Sequence, residues 1–108
     1  MDEYQVKITL SATLDLQEIL RHISTQLLAP LTAEKMLNTF HEAIASLYTM
    51  PKRNPFASDK FLANLGYRIM PVKNYLVFYT VTDWPAQEVN IERILYGKRD
   101  WQQLLNPS

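Results

Sequence analysis

The stretch YGKRDW (96–101) sets two cations, Lys98 and Arg99, between two aromatics, Tyr96 and Trp101, in a chain of zero formal net charge. Arginine and lysine beside tyrosine and tryptophan hold phosphates and stack on unpaired bases. The same residue types dominate binding energy at protein interfaces. Three more cations stand where they can join them: Arg68 in the apolar run 67–72, Lys73 just after it, and Arg93 in the run 88–96. Arg93 is the odd one, because the alternation Val89, Ile91, Arg93, Leu95 puts it on the face of three aliphatics. Burying a guanidinium is costly unless it is paired or opens to a groove. Three readings stay open: a strand bulge near Arg93, an ion pair with Glu92 or Asp100, or a cation on a concave sheet face that meets an anionic ligand. Lys73, Arg93, Tyr96, Lys98, Arg99 and Trp101 are the candidates for contact with a target or an anion.

Other chemistries lack their residues. The chain has no cysteine, hence no disulfide, thiolate metal site or thiol nucleophile. His22 and His41 fall inside helical patterns and make a poor start for a metal site, and neither a metal nor a cofactor is expected. There is no Gly-rich phosphate loop, no His-Glu-x-x-His and no nucleophile elbow. No apolar run is long enough to span a membrane. The opening MDEYQVKITL is acidic and strand-like, unlike a secretory signal, so a cytoplasmic protein is expected. Charge is unevenly spread: residues 1–51 carry three cations against six anions, and residues 52–108 carry eight against five. Such a split fits one anion-facing surface built from the second half.

The elements that must position these residues follow from periodicity. With 108 residues, 47% of them hydrophobic, the chain fits one domain, 1–108. YQVKITL (4–10) alternates Tyr4, Val6, Ile8 and Leu10 against polar residues and reads as a strand. In 11–28 the period becomes helical through Leu16, Ile19, Leu20, Ile23 and Leu27, with Ser11 or Thr13 as N-cap and Pro30 as the stop. A second helix starts at Thr32, with Leu31 stapled onto Met36, and carries a stripe from Met36 to Tyr48 until Pro51 ends it. The short connection predicts an antiparallel helix pair. PKRNPFASDKFLANLG (51–66) has no sustained period and reads as a long loop. YRIMPV (67–72) and YLVFYTVT (75–82) are strands joined by a turn at Lys73 and Asn74. DWPAQ (83–87) is a second turn, EVNIERILY (88–96) a third strand of the run, and KRDWQQLL (98–105) a last short helix after Gly97. The prediction is an α+β fold, an antiparallel sheet with an N-terminal two-helix hairpin on one face, in the order β-α-α-β-β-β-α.

Y-R-I-M-P-V-K-N-Y-L-V-F-Y-T-V followed by V-N-I-E-R-I-L-Y-G-K-R-D-W resembles the C-terminal half of the RelE/ParE superfamily of bacterial type II toxins, whose element order is the same. The resemblance implies a growth-inhibiting toxin neutralised by a cognate antitoxin and held with it as a heteromer, with no membrane partner. It implies one of two targets: the ribosome, where RelE-like members cleave mRNA, or DNA gyrase, which ParE-like members inhibit without a nuclease site. Under the nuclease reading, Arg68 matches the basic residue early in the first hairpin strand, and Arg99 matches the arginine of the Gly-Lys-Arg ending. The lysine expected two positions after Arg68 falls on Met70, the arginine of the next strand on Leu76, and the C-terminal tyrosine near Leu105. Cleavage needs a group to take the 2′-hydroxyl proton, and Tyr75, Tyr79 and Tyr96 are the only candidates, none at the family's position. Contact with ribosomal RNA favours strongly basic chains, which this is not. The pattern is thus closer to ParE-like members. The antitoxin is expected to lay a segment, ordered on binding, along the helix pair and the sheet, with apolar anchors and a possible added strand.

Overall fold

In the computed structural model, residues 3–97 are described. Four strands form one sheet: β1 (Gln5–Ile8), β2 (Arg68–Val72), β3 (Tyr75–Thr82) and β4 (Glu88–Tyr96). Their spatial order is β1-β4-β3-β2. β2, β3 and β4 make the expected antiparallel meander. The sheet as a whole is mixed, because β1 pairs with β4 in parallel, Val6 beside Val89 and Ile8 beside Ile91. A parallel neighbour requires a long crossover, and the helix pair with β2 and β3 supplies it.

The first helix, α1 (Leu10–Arg21), begins earlier than its sequence suggests. Thr9 is its N-cap, and neither Ser11 nor Thr13 serves. The Thr9 hydroxyl accepts from the Ala12 N–H at 3.1 Å and donates to the Glu92 carbonyl at 3.1 Å. The Thr9 backbone N–H closes the β1–β4 ladder on the Ile91 carbonyl at 3.0 Å. One residue therefore ends the strand and starts the helix, leaving Leu10 exposed in the first turn instead of buried in a strand. α1 runs on into a π-helical turn, His22–Gln26. Leu28 then reverses the chain at φ 51°. Pro30 does not stop this helix. It occupies the first turn of α2 (Pro30–Ala45), where a missing N–H costs nothing, so the cap falls on Ala29 and not on Thr32. Leu31 stays exposed, and the expected staple onto Met36 is not the device used.

The helix pair covers one face of the sheet. Leu16, Phe40, Ile44 and Leu47 meet Val77, Tyr79, Val89, Ile91 and Ile94, all among the most buried side chains. The segment 51–66, expected as a loop, is a second covering layer. It holds a 3₁₀ turn, Pro51–Arg53, and a five-residue helix, α3 (Lys60–Asn64), capped by Asp59, whose carboxylate accepts the Leu62 N–H at 3.0 Å. Leu62 and Ala57 pack there on Phe78 and Leu95 in a smaller core. Backbone pairing of Phe56 with Arg68, and the Ile69 N–H on the Pro55 carbonyl at 3.2 Å, seal the outer edge of β2. Pro71 has no N–H to leave open there.

Two backbone details set up the functional end. The register between β3 and β4 jumps from Phe78 opposite Arg93 to Tyr79 opposite Ile91, so Glu92 is an extra residue, a β-bulge. The bulge moves Ile94 onto the face of Val89 and Ile91 and sends Leu95 to the other core. At the β2–β3 turn Lys73 adopts φ 56°. Gly97 donates its N–H to the Asn74 carbonyl at 2.9 Å, and a Cβ on Gly97 would stand 3.2 Å from that oxygen. The expected helix at 98–105 lies outside the described residues. Among the described residues no helix is long and apolar enough to cross a membrane.

Candidate functional site

Arg93 answers the question its alternation raises. Its guanidinium forms a two-point pair with Asp15 of α1, Nε to Oδ2 at 2.7 Å and Nη2 to Oδ1 at 3.0 Å. The same carboxylate accepts the Ile94 N–H at 2.9 Å. β1 covers β4 only as far as Ile91. Beyond that point β4 would have a bare edge, and Asp15 closes it. Among the described residues the partner is thus Asp15 and not Glu92, and the bulge lies one residue before Arg93; Asp100 lies outside the described residues. Glu92 instead accepts from the Thr80 hydroxyl at 3.1 Å. The Asp15 bond holds the Arg93 pKa above its ordinary value, against the opposing effect of burial. A cation committed in this way has little left for an anionic ligand.

Past the clamp, an open groove of about 560 Å³ lies between the helical segment and the sheet. Glu18, Ile19, His22 and Leu27 form one wall, and Asn74, Tyr75 and Tyr96 the other. Asp15, Glu18, Ile19 and His22 share a helix side, a spacing visible in the sequence but not read as a site. The aromatic wall is built in relay. Phe40 of the core meets Tyr75 edge-on at 5.7 Å, and Tyr75 meets Tyr96 edge-on at 5.6 Å. Burial, helped by Tyr96, pushes the Tyr75 hydroxyl up. Lys73 projects from the exposed turn next to Asn74, so the structure brings Lys73 and Tyr96 to one end of the sheet. Lys98, Arg99 and Trp101 lie outside the described residues.

Arg68 is at the other end of the sheet, since β2 runs from it toward the Lys73 turn. Its Nη1 donates to the Lys52 and Asn54 carbonyls at 3.2 and 2.7 Å, and its guanidinium lies 3.9 Å from the centre of the Phe56 ring. Beside it, Tyr79 is fully buried and its hydroxyl donates to the Pro51 carbonyl at 2.7 Å, with burial pushing the phenol up. Arg68 and Tyr79 together pin the 51–56 segment to the sheet. Neither His22 nor His41 belongs to a metal cluster: among the described residues no group of His, Asp and Glu side chains could hold a metal ion.

The family model of the ParE toxin of the type II toxin–antitoxin system, parDE, matches residues 6–101. Comparison with curated protein sequences finds no match. Among solved structures, the chain is similar to the chromosomal ParDE toxin–antitoxin system from P. aeruginosa, with a TM-score of 0.71 at 20% identity, over 89% of this chain and 98% of that one. It is also similar to the toxin–antitoxin complex RelBE2 from Mycobacterium tuberculosis, with a TM-score of 0.57 at 19% identity over 87% and 98% of the two chains. A third likeness, to YafQ from E. coli strain BL21(DE3), has a TM-score of 0.50 at 13% identity over 87% and 93%. At these identities the structural matches speak for the fold, and the family match covers nearly the whole chain. With the family model matched over residues 6–101, the chain belongs to the ParE toxin family of type II toxin–antitoxin systems, within the RelE/ParE superfamily.

Proposed function

We propose that this toxin arrests growth by binding DNA gyrase, and that a cognate antitoxin neutralises it in a resting heteromer in the cytoplasm. The observation that carries the gyrase reading is where the reactive groups are spent. RNA cleavage needs a base for the 2′-hydroxyl proton and free cations for the phosphorane. Arg93 is neutralised by Asp15, and Arg68 keeps its charge but stands at the end of the sheet away from Tyr75 and Tyr96. Tyr79 is buried on the Pro51 carbonyl, and burial pushes the Tyr75 phenol above its ordinary value, away from a base's range. Among the described residues the groove keeps Tyr96, Glu18 and His22 as proton acceptors, but neither Arg68 nor Arg93 offers a free cation beside them, whereas a binding toxin needs neither.

The antitoxin reading draws on the β1 edge. Gln5 and Thr9 turn their N–H groups to β4, so the backbone of Val6 and Ile8 faces outward along an edge that no other described strand pairs. Exposed Ile8, Leu10 and Leu14 flank it. An extended segment can add a strand there and bury those side chains. The matched ParDE and RelBE2 structures are themselves toxin–antitoxin systems.

The test places purified toxin in a gyrase supercoiling assay beside a ribosome-dependent mRNA cleavage assay. Loss of supercoiling without cleavage is expected. Ribosome-dependent cleavage that Arg68→Ala with Arg99→Ala abolishes would establish the nuclease alternative instead.

A further inference from the structure

The sheet end opposite the groove concentrates unneutralised charge and exposed aromatics on one surface. Arg53 donates from Nη1 to the Ser46 and Thr49 carbonyls at 3.2 and 3.0 Å and from Nη2 to the Ser46 hydroxyl at 2.6 Å. Arg68 is held by the Lys52 and Asn54 carbonyls, over the Phe56 ring. Neutral acceptors orient a guanidinium without cancelling its charge. Of the three cations here, only Lys52 has a carboxylate among the described residues, that of Asp83, at 2.6 Å. In a chain of zero net charge, this end is therefore locally positive, and its arginines are fixed before any partner arrives.

The apolar surface follows the same contour. Trp84 is 85% exposed beside Asp83, Met50 is 72% exposed beside Pro51, and Phe56 is 51% exposed under Arg68. Large exposed apolar side chains grouped like this mark an interaction site more than an ordinary surface. Arginine on an aromatic face with a tryptophan nearby is also the residue set that carries most interface energy. Phosphate binding fits less well. Three cations with one already paired give weak counterion release, and nucleic-acid sites use many more.

We propose that this end of the sheet is the surface through which the toxin engages its target protein, by an acidic segment of that target carrying an apolar anchor. A carboxylate meets Arg68 and Arg53, and the anchor packs between Trp84 and Phe56. The proposal rests on the gyrase reading above, and names the face and the chemistry that reading leaves open. Both probes leave Arg53, Arg68 and Tyr79 in place: Trp84→Ala removes a side chain that is almost wholly in solvent, and Lys52→Glu reverses one exposed charge, giving up an exposed ion pair with Asp83 that is worth little to stability.

The experiment measures binding of each full-length variant to purified DNA gyrase, at low and moderate salt, with thermal melting as the control for folding. Wild-type binding that each substitution weakens tenfold or more, with melting unchanged, is the expected result. Wild-type binding that neither substitution alters would overturn this surface while leaving the gyrase reading intact. Tighter binding to a single-stranded RNA or a duplex DNA oligonucleotide, lost in Lys52→Glu, would overturn the protein-segment assignment in favour of nucleic acid. No wild-type binding to gyrase would overturn the gyrase reading and this proposal with it.

Discussion

Removing the Asp15 carboxylate should cost more stability than any surface substitution, because it undoes three contacts at once. Two hydrogen bonds from Arg93 and one from the Ile94 N–H converge on it, at 2.7, 3.0 and 2.9 Å. The Asp15 and Arg93 side chains are 14% and 25% exposed, which makes the pair partly buried. Breaking a buried pair by deleting one partner costs about 3–5 kcal/mol, because the other charge is stranded. Here Arg93 keeps a quarter of its surface in water and can turn toward it, which lowers the figure to roughly 2–3 kcal/mol. The Ile94 N–H has no such escape and adds roughly 1 kcal/mol. Asp15→Ala should therefore lose about 3–4 kcal/mol, or on the order of 12–25 °C in Tm for a domain of this size. Asp15→Asn keeps an acceptor for Ile94 and should lose about half as much. Pairing Asp15→Ala with Arg93→Met should recover at least roughly 1 kcal/mol, since the stranded charge is gone. Urea denaturation of wild type, Asp15→Ala, Asp15→Asn, Arg93→Met and the double variant measures all of this. A loss below about 0.5 kcal/mol for Asp15→Ala, or strict additivity in the cycle, would refute the edge-closing role.

Three further outcomes follow from single contacts. Thr9→Ala removes both the α1 cap and the bond to the Glu92 carbonyl, and should cost about 1–2 kcal/mol by denaturant titration, against a few tenths for Ser11→Ala. Tyr79→Phe leaves the Pro51 carbonyl without its donor and should cost about 1–2 kcal/mol, with faster proteolysis of the 51–56 segment as a second readout. Asp83 has its pKa lowered by hydrogen bonds from Lys52 and Tyr4, so its contribution is complete above the ordinary carboxylate range and fades as pH falls through the depressed folded value. Melting curves from pH 6 down to about pH 3 should therefore fall slightly less steeply for Asp83→Asn than for wild type. An identical slope would count against the contact.

The elements with an uninterrupted period were legible in the sequence, and the exceptions have identifiable causes. EVNIERILY reads as a strand and is one, 88–96, because branched residues and a following glycine leave no competing pattern. Its inward face cannot be read through the bulge, because one extra residue at Glu92 inverts the alternation that follows and no residue type announces it. That shift is why Arg93 looked like a buried cation. Its partner Asp15 lies 78 residues away in sequence, and local inspection reaches only neighbours such as Glu92. Pro30 was ambiguous by nature, since proline ends one helix and begins another with equal ease, and the positive φ at Leu28 decided for the second. The 51–66 layer is not legible in the sequence because a five-residue helix with one inward leucine has no period to detect. The parallel entry of β1 is set by packing of the helix pair, which strand composition does not encode. The groove mixes both cases: its tyrosines stood out, while Glu18 and His22 looked like ordinary solvated helix positions.

The most direct test of the central claim is DNA supercoiling by purified gyrase, titrated with the wild-type toxin and then with stoichiometric antitoxin added back. Supercoiling should fall as toxin is added and return with the antitoxin, while ribosomes programmed with mRNA and given the same toxin leave the message whole. Undiminished supercoiling together with cleaved message would contradict the account.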